Sequence, residues 1–328
     1  MLFRSGIRNS TESVIRWSMQ AKPAVGGFSF YIIFLMSIVG FSVFFDTNKV
    51  FLNKELIGVL LASMLGFLLG LTDDTYDTRP LLKLAAQITC GVILCITGTI
   101  INLTPFAGVN YFLTVFWTVG IMNSLNLLDN MDGITSTVSI SILLSALTVM
   151  ILNNQFDSVY FITMTGVVAA LFGFLYYNWH PSKIFMGDTG SQFLGVFLSA
   201  MGIKFLWDAE PPANDFINVK NILIPVIVFI MPIIDTTCVF INRISEGNSP
   251  FVGGKDHTTH ALAKLGFSER QVAIVFGAIT VVSIILVLIM ERYLIKWNHF
   301  YSSLFAVYIL ILFAVFFYIT RIKMTSKK

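Results

Sequence analysis

The stretch FSFYIIFLMSIVGFSVFF, residues 28–45, decides the fold because it runs for eighteen residues without a charged side chain. A helix of about this length crosses the hydrocarbon core of a bilayer. Residues 1–20 are polar, and no small-residue cleavage site follows the apolar stretch. We therefore expect this segment to stay in the membrane as a helix and not to act as a cleaved signal peptide.

Similar apolar runs recur along the rest of the chain. Hydrophobic residues make up 56% of the 328 and charged residues 12%, and the mean hydropathy is +0.80, which indicates a membrane protein. We predict an all-α, polytopic bundle of about ten transmembrane helices. A single bundle over 26–320 would follow a cytoplasmic N-terminal segment, 1–25, and precede a cytoplasmic tail, 321–328. The predicted spans are 26–46, 56–72, 83–102, 109–127, 134–152, 159–178, 190–207, 221–241, 271–290 and 300–320.

The distribution of lysine and arginine predicts the orientation. An even number of spans puts both termini on one side, and fifteen of the 21 basic residues fall on that side against five opposite. Because basic loops stay inside, the terminal side is predicted to be cytoplasmic, in a multi-pass protein of the inner (plasma) membrane.

A net charge of +3, with no basic tract rich in aromatics, argues against a nucleic-acid partner. The three cysteines lie in apolar runs without metal-binding spacing.

Two polar clusters on the terminal side are rich in carboxylates and amides. The first is DDTYD at 73–77, whose acids would share one face of a helix end and bind a hard cation. The second is NSLNLLDNMDG at 123–133, which sets oxygen ligands three residues apart where a span ends in a glycine turn. Taken alone, a solvated helix end or an ordinary turn explains each cluster too. Their members are Asp73, Asp74 and Asp77, then Asn123, Asn126, Asp129 and Asp132.

Two further clusters combine glycines with polar side chains. In FMGDTGS at 185–191, the glycines would let backbone amides approach a phosphate, with Asp188 holding a metal beside it. Phe185 would stack on a base, unless it only anchors the loop at the membrane surface. The fourth cluster, GGKDHTTH at 253–260, offers histidine donors to a diphosphate. A zinc site ranks second there because further soft ligands are lacking.

Asp235 stands apart because it lies inside a predicted span. A carboxylate at membrane depth costs about 2.5–3.5 kcal/mol, so we interpret it as functional, although pairing with Arg243 two turns later would also satisfy it. The other clusters all fall on one membrane face. Together they predict a cation-dependent site at that face.

Taken in order, these motifs resemble those of the polyprenyl-phosphate N-acetylhexosamine-1-phosphate transferases, glycosyltransferase family 4. That group includes the transferases for peptidoglycan, teichoic-acid and O-antigen lipid carriers. The resemblance covers nearly the whole chain. The matching elements are Lys22-Pro23 with Gly26-Gly27, DDTYD, NSLNLLDNMDGI, FMGDTGS, PIIDT at 232–236 and the histidine loop at 257–260.

The resemblance implies a magnesium-dependent enzyme, with manganese as an alternative ion. Such an enzyme transfers a sugar 1-phosphate from a UDP-amino sugar to undecaprenyl phosphate within the membrane lipid and releases UMP. It implies that Asp188 ligates the metal with help from Asn126, and that Asp73 or Asp74 positions or deprotonates the lipid phosphate. Asp129 and Asp132 would complete the catalytic group. The implied substrate-binding residues are Lys22, Asn123, Asn178, Phe185, His257 and His260.

Three departures from the family pattern stand out. No span precedes Lys22, so we expect a short form or a start assigned too late. The family's HxHH-Arg pattern appears as HTTHA, with Thr259 and Ala261 in place of a histidine and an arginine. Asn130 stands where a glycine is usual, which we interpret as a residue that also accepts left-handed geometry.

Two other classes of membrane protein share some of these sequence features. An intramembrane prenyltransferase also uses DDxxD motifs, but it needs a second acidic motif where this chain is Asn-rich. A transporter would carry ionisable residues at the bilayer midplane, and only Asp235 fits that pattern. N-acetylglucosamine is the favoured sugar, with N-acetylgalactosamine, a deoxy-amino sugar and a muramoyl peptide open. The glycan pathway and the formation of a homodimer are open as well.

Overall fold

The computed structural model describes residues 22–45, 53–76, 78–207, 219–247, 254, 256–294 and 296–322. Asp77 and Lys255, which belong to two predicted clusters, lie outside these ranges. The described residues form twelve α-helices and one π-helical turn, with a single parallel bridge between Ala24 and Phe185. The helices are α1 Gly26–Phe44, α2 Lys54–Tyr76, α3 Pro80–Thr97, α4 Ala107–Leu128, α5 Ile134–Leu152, α6 Val159–Asn178, α7 Gly187–Gly202, α8 Val219–Val228, α9 Ile230–Ser245, α10 Thr258–Lys264, α11 Glu269–Arg292 and α12 His299–Arg321.

The predicted all-α, polytopic architecture is confirmed. Within the described ranges, eight helices are long and apolar enough to cross a membrane, and α8 with α9 makes a ninth if the pair counts as one span. The remaining predicted span, 190–207, falls on α7 and the π-helical turn Ile203–Trp207 that continues it. The count of about ten therefore holds only approximately.

The predicted span 221–241 is broken in the structure. Helices α8 and α9 meet at an angle of 81° around Phe229. Pro232 has no backbone N–H, so it cannot bond the carbonyl of Val228 one turn earlier, and Pro225 lies inside α8. Beyond α9, Thr259 of α10 contacts Asn130 at the end of the bundle where α7 begins.

Helix α7 lies at the centre of the bundle. It is buried along nearly its whole length and packs against α1, α2, α4 and α5. Glycines on the neighbouring helices allow this close approach: a Cβ on Gly70 of α2 would come within 2.2 Å of the Asp188 carbonyl oxygen. A Cβ on Gly27 of α1 would meet the Gly190 nitrogen at 2.3 Å. The first turn of α7 is thus held between two helices.

Two acids at the opposite end of the bundle, Glu55 and Glu291, each pair with a lysine. Glu55 contacts Lys204, and Glu291 lies 3.1 Å from the ammonium group of Lys220. Because Glu291 and Lys220 are largely buried, this pair links α8 to α11.

Candidate active site

The predicted clusters meet at one end of the bundle. Helices α2, α4 and α6 end there, and α1, α3, α5 and α7 begin there. The chain reversals bring side chains from residues far apart in sequence into direct contact. Asp73 and Asp74 from α2 reach Asp188 at the start of α7.

Asp74 binds the first turn of α7. Its carboxylate accepts hydrogen bonds from the backbone N–H groups of Asp188, at 3.0 Å, and Thr189, at 2.9 Å. The Thr189 hydroxyl donates a further bond at 2.7 Å. Gly187 has a φ of +75°, and a Cβ there would lie 2.8 Å from the Asp74 carboxylate. Asp74 therefore satisfies backbone donors that a helix start leaves open.

Asp188 forms the centre of the first group of polar side chains. Its carboxyl group is close enough to that of Asp73 to interact directly. The Asn126 amide donates to Asp188 at 2.8 Å and to the Ser191 hydroxyl at 2.9 Å. Two carboxylates in contact at a membrane helix end repel each other unless a cation lies between or beside them. This donor set fits a divalent cation that prefers oxygen ligands.

Lys83 completes this group, and the sequence reasoning gave it no role. It forms an ion pair with Asp73, whose carboxylate also accepts from the Thr78 backbone N–H at 2.9 Å and hydroxyl at 2.7 Å. Lys83 lies one turn into α3, directly after the chain reversal at 78–79. A lysine soon after an acidic helix end was the available signal. The ammonium group is partly exposed, so it can meet an anion.

Asn123 lies one turn deeper than Asn126, in a cluster of amides. It donates to Gln87 at 2.8 Å, and Gln87 donates to Asn123 and to Gln192, both at 3.2 Å. Gln87 and Gln192 are almost completely buried. The structure therefore places Asn123 among helix-joining contacts beneath the first group.

Asp132 anchors a second group of polar side chains. It accepts from the Ser182 backbone N–H at 3.0 Å and from the Ser182 hydroxyl at 2.7 Å, and it lies 3.0 Å from His180 Nδ1. The same nitrogen lies 3.1 Å from the Glu269 carboxylate at the start of α11. Among the described residues, Asp132, His180 and Glu269 offer three ligand atoms within 4.8 Å of one another, which a metal ion fits. Sequence reasoning assigned no function to His180 or Glu269.

Asn178 holds the loop around this second group. Its side-chain oxygen accepts from the Gly133 backbone N–H, and its amide donates to the Ile184 carbonyl, both at 2.9 Å. Because both ends of the buried amide contact backbone, Asn178 joins the loop after α4 to the loop before α7. Lys22 lies 3.0 Å from the Ser182 hydroxyl, and its ammonium group is 5.0 Å from the centre of the Phe185 ring.

The histidine loop forms the third group and corrects the interpretation of Asp235. Asp235 does not pair with Arg243; its carboxylate lies 2.9 Å from His257 Nδ1 and accepts from the Thr258 backbone N–H at 2.8 Å. Arg243 instead binds Asp256 through two bonds of 2.6 and 2.7 Å. Asp235 therefore binds the start of α10 through His257 and Thr258.

Two of the predicted departures from the family pattern contact each other. The Thr259 hydroxyl donates to the Asn130 side-chain oxygen at 2.7 Å, and the Asn130 amide donates to the Leu127 carbonyl at 2.7 Å. Asn130 does not use the left-handed geometry that asparagine accepts, since Asn154 is the one non-glycine residue with positive φ among those described. Asn130 instead links the loop after α4 to α10.

His260 and Asp129 complete the set of predicted site residues. His260 is buried on α10, with its ring centre 5.9 Å from that of His257. Asp129 ends α4, between Asn126 and Asp132 in the chain. The end of the bundle thus carries three linked groups: carboxylates with a lysine, a loop with Asp132, and a buried histidine pair.

Comparison of the sequence with known proteins matches the chain to one family. The model described as "Glycosyl transferase family 4" matches residues 56–206, which contain the first three clusters. The chain is 30% identical over 300 residues to a probable undecaprenyl-phosphate N-acetylglucosaminyl 1-phosphate transferase of Bacillus subtilis, covering 89% of this chain and 78% of the relative.

Other relatives carry related names. A decaprenyl-phosphate N-acetylglucosaminephosphotransferase of Mycobacterium tuberculosis is 28% identical over 283 residues, covering 77% of this chain and 68% of the relative. A phospho-N-acetylmuramoyl-pentapeptide-transferase of Streptococcus agalactiae is 31% identical over 202 residues, covering 55% and 59%. The similarity to the Bacillus subtilis protein extends over most of both chains.

Proposed function

The chain belongs to glycosyl transferase family 4, and on this premise we propose that it transfers N-acetylglucosamine 1-phosphate from UDP-N-acetylglucosamine to undecaprenyl phosphate. The reaction releases UMP and leaves a lipid diphosphate sugar that starts an envelope glycan. Family membership agrees with the resemblance predicted from the ordered motifs. We further propose that 26–320 acts as one catalytic bundle, with the site on the cytoplasmic face of the inner membrane, because basic residues concentrate on that side.

The observation that carries the proposal is the contact between Asp73 and Asp188, with Lys83 and Asn126 around them. Two substrates that are both phosphate anions must meet in the reaction. At about 4 Å, each pair of unit charges repels by several kcal/mol even at a high effective dielectric constant. A site that combines paired carboxylates, an ammonium group and a helix start can overcome this repulsion with a bound cation.

In the reaction, an oxygen of the lipid phosphate attacks the β-phosphorus of the UDP-sugar. A new phosphorus–oxygen bond to the lipid forms as the bond between the β-phosphorus and the oxygen bridging to the α-phosphate breaks, and that oxygen leaves with UMP. Magnesium, or manganese, held by Asp188 with Asn126 beside it, would neutralise negative charge on the phosphate oxygens. The protein's own side chains bind and orient the two substrates.

Those side chains have separable roles in this scheme. Lys83 attracts the lipid phosphate towards Asp73, which orients it, while Asp74 positions α7 and so acts through Asp188. His257 and His260 donate to the diphosphate from the opposite side.

The loop before α7 would hold the uridine. Phe185 offers its ring to the base, with Lys22 beside it, and Asn178 keeps the loop in place. Asp129 and Asp132 complete the site between this loop and the first group. Asn123 supports Asn126 from beneath.

A test uses purified protein with undecaprenyl phosphate, magnesium and a panel of UDP-sugars. The lipid product is weighed by mass spectrometry and UMP release is followed in parallel. We expect product with UDP-N-acetylglucosamine and a loss of at least about 100-fold in kcat for Asp188→Asn. The matched control is Asp157→Asn, an exposed carboxylate outside the three groups.

The outcomes separate the parts of the proposal. Product with another UDP-sugar in the panel would replace the sugar assignment and leave the reaction class in place. Near-normal turnover of Asp188→Asn would remove the metal assignment. No lipid product with any UDP-sugar, from folded protein, would overturn the proposed function.

A further inference from the structure

Asp235 is the most completely buried acid among the described residues, with no exposed surface. Its two carboxylate oxygens have different partners. One oxygen lies 2.9 Å from His257 Nδ1. The other accepts from the backbone N–H of Thr258 at 2.8 Å and from the Thr258 hydroxyl at 2.6 Å. These contacts all go to two neighbouring residues at the start of α10.

The contact with His257 decides which ring nitrogen carries a proton. A carboxylate oxygen only accepts hydrogen bonds, so the Nδ1 atom that faces Asp235 must carry hydrogen. The orientation of the imidazole and the chemistry of Nε2 then follow from this single contact, because a partner at one nitrogen sets the state of the other. His257 is 4% exposed, and packing limits other orientations of the ring.

We propose that Asp235 is a positioning residue that acts through His257, directing Nε2 of that ring towards the diphosphate of the nucleotide sugar. The proposal rests on the proposed function, in which His257 contacts the diphosphate. It explains why an acid is retained inside a membrane-spanning segment at a cost in stability. Asp235 would contact neither substrate.

A second role of Asp235 must be separated from this one. By accepting from Thr258, the carboxylate also satisfies a backbone donor at the start of α10. If activity depended on this contact with Thr258, its loss after mutation of Asp235 would reflect disorder of α10 and not a change in His257. Thr258→Val removes the hydroxyl contact that helps to hold the start of α10 and leaves the backbone N–H and the contact with His257 intact, so it tests that hydroxyl contact separately.

The central experiment is a double-mutant cycle between Asp235→Asn and His257→Gln, with UDP-sugar and lipid varied separately. We expect Asp235→Asn to lower kcat about 10- to 100-fold, as for other outer-shell carboxylates that orient a histidine, with the KM for undecaprenyl phosphate unchanged. In the His257→Gln background, Asp235→Asn should have little further effect. Thr258→Val should retain kcat within about twofold of the wild type, a much smaller change than that expected for Asp235→Asn.

Several results would overturn the proposal. These are full activity of Asp235→Asn, an undiminished effect of Asp235→Asn in the His257→Gln background, or a loss in Thr258→Val as large as in Asp235→Asn. If Asp235→Asn fails to fold, ¹⁵N-histidine NMR of the wild-type protein reads the state of the ring, with His257→Gln used to assign its signal among the four histidines. Hydrogen on Nδ1 is expected, and its absence there sinks the proposal. This measurement does not need turnover, so it stands even if the proposed function fails.

Discussion

Asp74 accepts two hydrogen bonds from Thr189, one from the backbone N–H at 2.9 Å and one from the hydroxyl at 2.7 Å. The carboxylate near the end of α2 therefore sets the position of the first turn of α7. Neighbouring acids of one motif thus differ in their contacts. Asp73 faces Asp188 and Lys83, while Asp74 holds the helix that carries Asp188.

Removal of Asp74 should reduce both stability and activity. Asp74→Ala leaves donors of α7 without an acceptor, and loss of such a helix-start contact costs about 0.5–2 kcal/mol. We expect a lower melting temperature in detergent and a lower kcat, whereas Asp74→Asn, which keeps one acceptor oxygen, should lose less stability. Differential scanning fluorimetry and UMP release measure the two effects. Unchanged melting of Asp74→Ala, with Asp157→Ala as the control, would contradict the capping role.

Gly70 tests whether the spacing between α2 and α7 controls the site without altering any polar group. A methyl group there would meet the Asp188 carbonyl at 2.2 Å, so Gly70→Ala must push the helices apart at a cost of about 1–3 kcal/mol. Gly40→Ala is the matched control, because nothing lies within 4 Å of its Cβ. We expect loss of UMP release in Gly70→Ala alone. Equal activity of the two variants would show that the contact tolerates an added methyl group.

Lys83 should affect the lipid substrate more than the nucleotide sugar. Lys83→Met removes the partly exposed ammonium group beside Asp73, and a charge-assisted contact to phosphate contributes about 1.5–3 kcal/mol. The KM for undecaprenyl phosphate should therefore rise by about tenfold or more. Lys83→Arg should recover part of the loss, and Lys54→Met, exposed at the opposite end of the bundle, should behave like the wild type. A rise confined to the KM of the UDP-sugar would argue against this role.

The pair of Arg243 and Asp256 makes the histidine loop sensitive to acid. Burial raises the pKa of Asp256, but the hydrogen bond and charge of Arg243 outweigh this effect and hold the pKa below its usual value. A depressed pKa in the folded state stabilises the fold above the unfolded-state pKa of about 3.9. That contribution is lost as the pH falls through the folded-state value.

Asp256→Asn should therefore melt a few degrees below the wild type at neutral pH. The gap should close as the pH falls below about 4 and through the lower folded-state pKa, because the wild-type carboxyl becomes protonated over that range. Melting temperatures across a pH series, with Asp157→Asn as the exposed control, check the trend. A gap that stays constant down to pH 3 would show that the charge of Asp256 is not the stabilising feature.

Asn130 and Thr259 should behave as a unit because they are hydrogen-bonded at 2.7 Å. Asn130→Ala and Thr259→Val each remove this contact, so their effects should be coupled by about 0.5–3 kcal/mol. We expect the ratio of kcat/KM for UDP-N-acetylglucosamine over UDP-N-acetylgalactosamine to change in both, since α10 also carries His260. Thr165→Val, at an exposed position, is the control. Strictly additive effects would mean that the two departures from the family pattern are independent.

Much of this protein was predictable from local patterns in its sequence. The apolar runs predicted the helices, since a bilayer requires each spanning segment to satisfy its own backbone hydrogen bonds. The motif DDTYD and the FMGDTGS segment identified Asp73, Asp74 and Asp188, because clustered carboxylates held at membrane depth are costly and need a cation, water or a partner. The break at Phe229 was missed, although Pro232 signalled it.

The three-dimensional contacts decided what local patterns do not encode. Lys83 and Glu269 look like ordinary residues at helix starts, and α10 is a short helix whose first turn is held by Asp235 from another helix. The pairing of Asp235 with His257 instead of Arg243 also depends on the bend between α8 and α9. Sequence alone determined which segments enter the membrane and which residue types gather at one face. Only the tertiary structure decided which of those residues touch, because side-chain pairing depends on how separate helices pack.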